Sequence, residues 1–223
     1  MTLNELFVSC RRTLDDTVGD DTQNLWKEYE LEEYLNEGQN EFVKQTLCLR
    51  TSLDDTLCSV PLVLGKYHYP IDPKILQIDA VVPSWGSWQP LRDAVSYRNF
   101  VEPWQTRTGL PTAYCTNYEQ GCISLDCIPL VLSTVQPEHL RLSVRRMPLP
   151  MSITQGPEIR PEYHPLLRDY ALYRAYDKQD VEAYDPARSA AKLALWRDKV
   201  AMAAGQLGRL YHPITRSRKI VEL

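Results

Sequence analysis

The sequence is poor in the residues that build phosphate-binding loops and membrane spans. Glycine accounts for only 9 of the 223 residues, and neither G-x-x-x-x-G-K-[ST] nor G-x-G-x-x-G occurs. No apolar run approaches the roughly 18–20 residues that cross a bilayer. The first residues also lack the basic start and apolar block of an export signal. These absences argue against nucleotide binding and membrane insertion, and they predict a protein made in the cytoplasm.

The short motifs of hydrolases and metal sites are absent as well. The sequence contains no G-x-S-x-G and no H-E-x-x-H. Its four histidines lie far apart, and the spacing of Cys115, Cys122 and Cys127 is not that of a zinc site. We therefore expect no catalytic residue, no cofactor and no bound metal. Without an export signal, the six cysteines are expected to be free thiols.

Charge is distributed unevenly along the chain. Residues 1–56 carry 13 acidic and 5 basic side chains, whereas residues 151–223 carry 9 acidic and 12 basic ones. Such asymmetry bears on partners and self-association rather than on the fold. The basic residues are too few for the concentrated face that binds nucleic acid, so sequence-specific DNA binding is not expected.

Two amphipathic helices are predicted near the start of the chain. In the first, apolar residues recur at helical spacing from Leu3 to Leu14, and Thr2 with Glu5 fits a capping box. The second helix lies in "YELEEYLNEGQNEFVKQTLC", whose acidic first turn suits the positive end of the helix dipole. Between them is an acidic turn that contains Asp15, Asp16, Asp20 and Asp21.

The middle of the chain has the pattern of a β-domain. Short β-like runs are separated by turn residues, and this part holds most of the 16 prolines. In "LRLSVRRM", Leu140, Leu142 and Val144 alternate with polar residues, which is typical of a half-buried strand. The pattern predicts an antiparallel β-domain of five to seven strands.

Two further helices are predicted after the β-domain. The first lies in "PEYHPLLRDYALYRAYDKQD" and ends near Asp180. Asp185 followed by Pro186 is typical of a helix start, and apolar residues then recur every three or four positions up to residue 210. The final residues are basic and alternate loosely, with no core of their own to join.

The predicted fold is α+β: an antiparallel helical bundle of about four helices with an inserted antiparallel β-domain and an extended C-terminal tail. The N-terminal helices of the bundle take residues 1–56 and the β-domain residues 57–152. The C-terminal helices take residues 153–212, and the tail takes residues 213–223.

The segment "PEYHPLLRDYALYRAYDKQD" has four tyrosines, at positions 163, 170, 173 and 176, and poses a choice between catalysis and packing. Tyr163 and Tyr170 share a stripe with Leu166 and Leu167, and nothing nearby supplies a nucleophile, a base and an orienting partner together. Asp169 is expected beside Tyr173 and Arg174. Tyrosine combines a large apolar body with a polar tip, which suits partly wet interfaces. The segment therefore predicts a packing helix with subunit contacts.

Two segments resemble the head-to-tail connector adaptor proteins of tailed bacteriophages. The first, here called the tyrosine segment (residues 161–180), resembles the pattern P-x-x-[YF]-H-x-x-L-x-D-Y-A-L-x-R-A-Y-x-x-D of that family. Its matching residues are Tyr163, His164, Leu167, Asp169, Tyr170, Ala171, Leu172, Arg174, Ala175 and Tyr176, and Pro161 and Asp180 each lie one position after the proline and the last aspartate of the pattern.

The second, here called the tryptophan segment (residues 26–39), resembles the family's W-x-x-x-E-L-x-x-Y-[IL]-N-E-[AG]-Q pattern. Its matching residues are Trp26, Glu30, Leu31, Tyr34, Leu35, Asn36, Glu37 and Gln39. Gly38 stands where alanine is commoner, which is expected to weaken the helix slightly. The resemblance extends in order and spacing from about residue 2 to 212.

The resemblance implies a structural protein of the virion neck rather than an enzyme. The implied partners are the portal protein, further copies of the chain in a ring of about 12 subunits, and a tail or nozzle protein below. DNA is expected to pass through the ring without sequence-specific binding, and no membrane is involved.

The resemblance, with the residue patterns, also suggests three groups of contact residues. The portal-binding group, which is expected to add a strand to a partner's edge, is Ile214, Arg216, Arg218, Lys219, Ile220, Val221 and Leu223. The subunit-interface group is Tyr163, Tyr170, Tyr173, Arg174, Tyr176 and Trp196. The channel-lining group, expected to repel DNA so that it slides, is Asp15, Asp16, Asp20 and Asp21.

Two alternatives remain open from the sequence. One is another phage neck or tail-completion protein, which would share the composition but bind a different partner. The other is a hydrolase that uses Tyr, His and Asp residues from separate elements, which substitutions at His164, Asp169 and Tyr170 would distinguish from a packing helix.

Overall fold

The computed structural model describes residues 1–16, 24–86, 89–90, 106–116, 120–129, 139–180 and 183–211. Its helices are α1 (Leu3–Leu14), α2 (Glu28–Thr46), α3 (Asp55–Cys58), α4 (His164–Tyr176) and α5 (Pro186–Tyr211). Its strands are β1 (Arg50–Thr51), β2 (Ser59–Pro61), β3 (His68–Pro70), β4 (Ile75–Pro83), β5 (Gln89–Pro90), β6 (Thr108–Gly109), β7 (Ala113–Thr116), β8 (Cys122–Leu125), β9 (Ile128–Pro129) and β10 (His139–Arg146).

The chain divides into two compact units. The helical unit combines Met1–Cys48 with Pro148–Leu223, and the β unit is Leu49–Met147. The first boundary lies earlier than the predicted residue 56, because Arg50 and Thr51 pair with Arg145 and Val144 as strand β1. Mixed helix and sheet confirm the α+β class, whereas the antiparallel bundle arrangement stays a prediction.

Local sequence signals account for where the helices of the helical unit begin and end. Thr2 and Glu5 form the predicted capping box of α1. Asp15 ends that helix in the left-handed region, with φ 58°. The Asp185 carboxylate accepts from the backbone N–H of Arg188 at 3.0 Å and so caps α5, as predicted. Helix α4 ends at Tyr176, earlier than the predicted Asp180.

The core of the helical unit is shared by its four helices. Helix α4 packs against α1, α2 and α5, and α2 also packs against α1 and α5. Leu31 and Phe42 of α2 and Leu167 and Leu172 of α4 are fully buried. The amphipathic stripes of the separate helices thus supply one apolar interior.

The β unit is mainly antiparallel. Strand β10 pairs with β1, β2 and β4, and a second sheet has the order β3-β8-β7-β5. Leu140, Leu142 and Val144 are fully buried, as their alternation in the sequence predicts. The predicted antiparallel pairing is confirmed for the longer strands, whereas the two-residue pairings β5–β7 and β6–β9 are parallel. The predicted number of five to seven strands is wrong, because ten strands are described.

None of the described helices is long and apolar enough to cross a membrane. All six cysteines are free thiols, as predicted from the absence of an export signal.

Candidate functional site

The tyrosine segment lies at the centre of the helical unit. Residues Pro161–Tyr163 form a 3-10 turn that leads into α4. The Tyr163 ring is buried, and its centroid lies 5.1 Å from that of Phe42 in α2. Most of α4 faces inward, including the fully buried Ala171 and Ala175. The segment is therefore a packing element, as its apolar stripe predicts.

Tyr170 packs closely between two helices. Its ring makes edge-to-face contacts with Trp196 of α5 at 5.0 Å and with Tyr173 at 5.5 Å. On the α2 side it lies against Gly38, where an added Cβ would be only 3.0 Å from the Tyr170 Cβ. Gly38 thus permits the close approach of α2 and α4, which sequence analysis treated only as a weakening of the helix.

The tryptophan segment supplies the other side of this contact. Trp26 Nε1 donates to the carbonyl of Ala175 at 3.1 Å. The Glu37 carboxylate lies 3.1 Å from Nε of Arg174, and Glu30 lies 2.9 Å from Nζ of Lys178. These three residues hold the C-terminal half of α4 and the turn after it. The two segments that resemble the adaptor family therefore meet each other.

Two amides of α2 bind the chain where it re-enters the helical unit. Asn36 Oδ1 accepts from the backbone N–H of Met151 at 2.7 Å. Gln39 donates to the carbonyl of Leu149 at 3.1 Å and accepts from the N–H of Glu158 at 2.9 Å. Sequence analysis missed this role. The signal was present, because Gln39 occupies a position on the apolar stripe of α2, yet its side chain is polar.

Asp169 is buried but paired across two helices. Its Oδ2 accepts from Nζ of Lys199 in α5 at 2.6 Å, and Arg168 lies 3.4 Å from its Oδ1. The neighbours expected from helical spacing were Tyr173 and Arg174 of the same helix, whereas the observed partner Lys199 lies in another helix, so Asp169 links α4 to α5. We therefore assign Asp169 a structural role, because its buried carboxylate is paired with cationic side chains.

His164 is buried, and both its ring nitrogens have partners. Its Nε2 lies 3.0 Å from the carbonyl of Ile159, and its Nδ1 lies 2.8 Å from the amino group of Met1. A carbonyl only accepts, so Nε2 carries the proton and Nδ1 accepts from the amino group. Burial lowers the pKa of His164, and the adjacent positive amino group lowers it further.

No catalytic constellation is present among the described residues. They include no group of three or more His, Cys, Asp or Glu side chains that could hold a metal ion. Burial, with the Glu37 carboxylate, raises the pKa of Tyr170 to about 12, so this hydroxyl stays protonated near neutral pH. Burial likewise raises the pKa of Cys10 to about 12, which opposes thiolate formation. His164, Asp169 and Tyr170 each serve packing contacts within the helical unit.

The predicted subunit-interface residues differ in how much surface they offer. Tyr163, Tyr176 and Trp196 are buried within the helical unit. Tyr170, Tyr173 and Arg174 are partly exposed, and the Arg174 guanidinium lies 5.5 Å from the ring centroid of Tyr34. Any contact that this group makes with a second subunit therefore depends on Tyr170, Tyr173 and Arg174.

The acidic turn is only partly described. Asp15 is exposed. Asp16 is buried: it accepts from the backbone N–H groups of Leu25 and Trp26 at 3.1 and 3.2 Å, and Arg11 lies 3.2 Å away. These contacts give Asp16 a structural role within the helical unit. Two of the predicted channel-lining residues, Asp20 and Asp21, lie outside the described residues.

The predicted portal-binding group lies wholly outside the described residues. Its members are Ile214, Arg216, Arg218, Lys219, Ile220, Val221 and Leu223.

Residues 1–218 match the model of the family described as SU10 adaptor protein. A search of curated proteins finds no match. The family match extends over both the tryptophan and the tyrosine segment, which contact each other in the helical unit. The chain therefore belongs to the SU10 adaptor family, a family of phage head-to-tail adaptors.

Proposed function

We propose that this protein is a structural adaptor that docks as a ring on the portal protein and extends the DNA channel towards the tail. The family match over residues 1–218 carries the proposal. The geometry supports it, because His164, Asp169 and Tyr170, the candidates for catalysis, are engaged in contacts within the helical unit. We therefore assign the chain no enzymatic activity and place it in the neck of the virion.

The proposed partners are the portal protein above, a tail or nozzle protein below, and identical copies in a ring of about 12 subunits. The basic residues 214–223 are proposed to add a strand to an edge of the portal protein. Asp15, Asp20 and Asp21 are proposed to face the channel, where negative charge would keep DNA from binding.

The mass of the purified chain in solution, alone and after mixing with its portal protein, tests this proposal. The measurement is made with the full chain and with residues 214–223 deleted. We expect the full chain to join the portal protein in stoichiometric copies and the deleted chain not to. If the full chain does not bind the portal protein, the proposal is refuted, and the alternative of another neck or tail-completion protein is favoured.

A further inference from the structure

Helix α5 presents a long outer face that no described residue of the chain covers. Its inner side is buried through Trp196, Val200, Ala203 and Leu207. On the opposite side, exposed residues follow one another at spacings of four and three over about 22 residues, which is about 33 Å of helix. They are Ala187, Ala191, Ala194, Asp198, Ala201, Gly205 and Gly208.

This outer face of α5 combines small residues with exposed apolar ones. Leu195 and Met202 flank the small residues and are 43% and 67% exposed. A groove of about 300 Å³, lined in part by Pro165 and Leu166, lies beside Met202. A Cβ added at Gly205 or Gly208 would meet nothing within 4 Å. The face therefore has room for the close approach of another helix.

Helix α5 as a whole is basic, and its exposed Arg197 and Arg209 lie on or beside the outer face, which itself contains Asp198. Helix α5 contains five basic residues and a single acidic one, Asp198. Arg188 pairs with Asp185, and Lys199 pairs with Asp169. The other three basic residues form no ion pair with another described residue: they are Lys192, Arg197 and Arg209. Two α5 helices packed against each other would thus bring like charges together, which opposes a symmetric contact.

The exposed face of α2 has the opposite charge. The helix contains six glutamates and one lysine. Glu33 is exposed, Glu32 is partly exposed, and neither forms an ion pair with another described residue. Tyr29, which is 68% exposed, adds the aromatic surface that interfaces favour.

We propose that the outer face of α5 docks against the acidic face of α2 in a neighbouring copy of the chain. Helix α5 carries a net positive charge and α2 a net negative one, and the two faces lie on different helices, so the contact is head-to-tail. Head-to-tail contacts close into rings when the rotation between copies permits. The inference rests on the proposed function and names the surfaces that would join adjacent subunits of its ring.

A contact along one helix is small. A face of about 33 Å by 10 Å covers roughly 300 Å², well below the ~800 Å² per partner of a typical stable interface. Self-association of the chain alone is therefore expected to be weak, so it is measured over a wide concentration range and again in the presence of the portal protein.

The test uses two charge reversals, Arg197→Glu and Glu33→Arg, in the full chain. Each one places like charges across every α5–α2 contact, and we expect it to weaken self-association at least about tenfold in sedimentation experiments. Mixing the two variants in equal amounts should restore association, because an alternating ring pairs opposite charges at every contact. Arg12→Glu makes the same charge change at another exposed site of the helical unit and should have no effect.

The outcomes separate this inference from the proposed function. If the wild-type chain joins the portal protein as a ring and the two variants behave like it, the α5–α2 contact is refuted while the proposed function stands. If Arg197→Glu weakens association but Glu33→Arg does not, α2 is refuted as the surface that contacts α5. If the wild-type chain neither self-associates nor joins the portal protein, both proposals are refuted.

Discussion

Single residues at the contact between α2 and α4 decide whether the helices of the helical unit can approach. We predict that Gly38→Ala destabilises the protein, although alanine favours helix by up to about 1 kcal/mol. The new methyl group would lie 3.0 Å from the Tyr170 Cβ, and overpacking of this kind costs about 1–3 kcal/mol. Chemical denaturation measures the change in the free energy of unfolding.

Gly205→Ala is the matched control for this substitution. Gly205 also lies inside a helix, but a Cβ there would meet nothing within 4 Å. The free energy of unfolding should rise by up to about 1 kcal/mol. Equal effects of the two substitutions would show that the close approach at Gly38 does not constrain the chain.

His164 gives the stability a defined pH dependence. Its pKa in the folded chain is lowered below the ordinary value of 6.5, chiefly by burial. The unfolded chain therefore binds a proton first as the pH falls, and the stability present above pH 6.5 is lost below it. His164→Gln keeps a donor for Ile159 and should reduce the loss of stability between pH 7 and pH 5. An unchanged pH profile in urea denaturation would contradict this prediction.

At the scale of elements, the stability of the packing around α2 is expected to depend on the hydrogen bonds between this helix and the segment that follows the β unit. Gln39 is 1% exposed and bonds Leu149 and Glu158. Gln39→Leu leaves both backbone groups without this partner and should cost about 2 kcal/mol. Gln45→Leu, the same change at an exposed position of α2, should stay within about 0.5 kcal/mol. Similar losses in both variants would rule out a specific role for the amide of Gln39.

Elements with a long periodic pattern were predictable from the sequence, and short pairings were not. The capping box at Thr2, the helix start at Asp185 and the buried alternation along β10 follow from local rules. A two-residue strand such as β6 or β9 is too short to show the alternation of apolar and polar residues by which a strand is recognised in a sequence. Its pairing depends on tertiary contacts, which is why the two parallel pairings were missed.

The residues of the candidate site could be identified from the sequence, but their contacts with one another could not. The residues of the tyrosine and tryptophan segments were singled out from the sequence, whereas their meeting was not. Asp169 shows the reason. Helical spacing identifies neighbours on one helix, such as Tyr173, but Lys199 lies 30 positions away and reaches Asp169 only through the packing of α5 on α4.

At the scale of the whole molecule, the burial of the cysteines predicts an order of reaction with thiol reagents. Cys10, Cys58, Cys115 and Cys127 are buried. Cys48 and Cys122 are partly exposed, and burial raises the pKa of the Cys48 thiol. We expect an alkylating reagent followed by mass spectrometry to find Cys122 modified first. All six thiols should react in denaturant, and early labelling of Cys10 in the native protein would contradict the structure.

The division of the helical unit between the two ends of the chain has a consequence for folding during synthesis. Helix α2 packs on α4 and α5, but 117 residues separate the end of α2 at Thr46 from the start of α4 at His164. At about 5–20 residues per second, the ribosome needs roughly 6–25 s to supply them. The β unit is continuous in sequence and is complete before α4 is made. During that interval Leu31, Leu35 and Phe42 lack the partners that α4 and α5 supply, so the nascent chain exposes these apolar side chains until its C-terminal helices have been made.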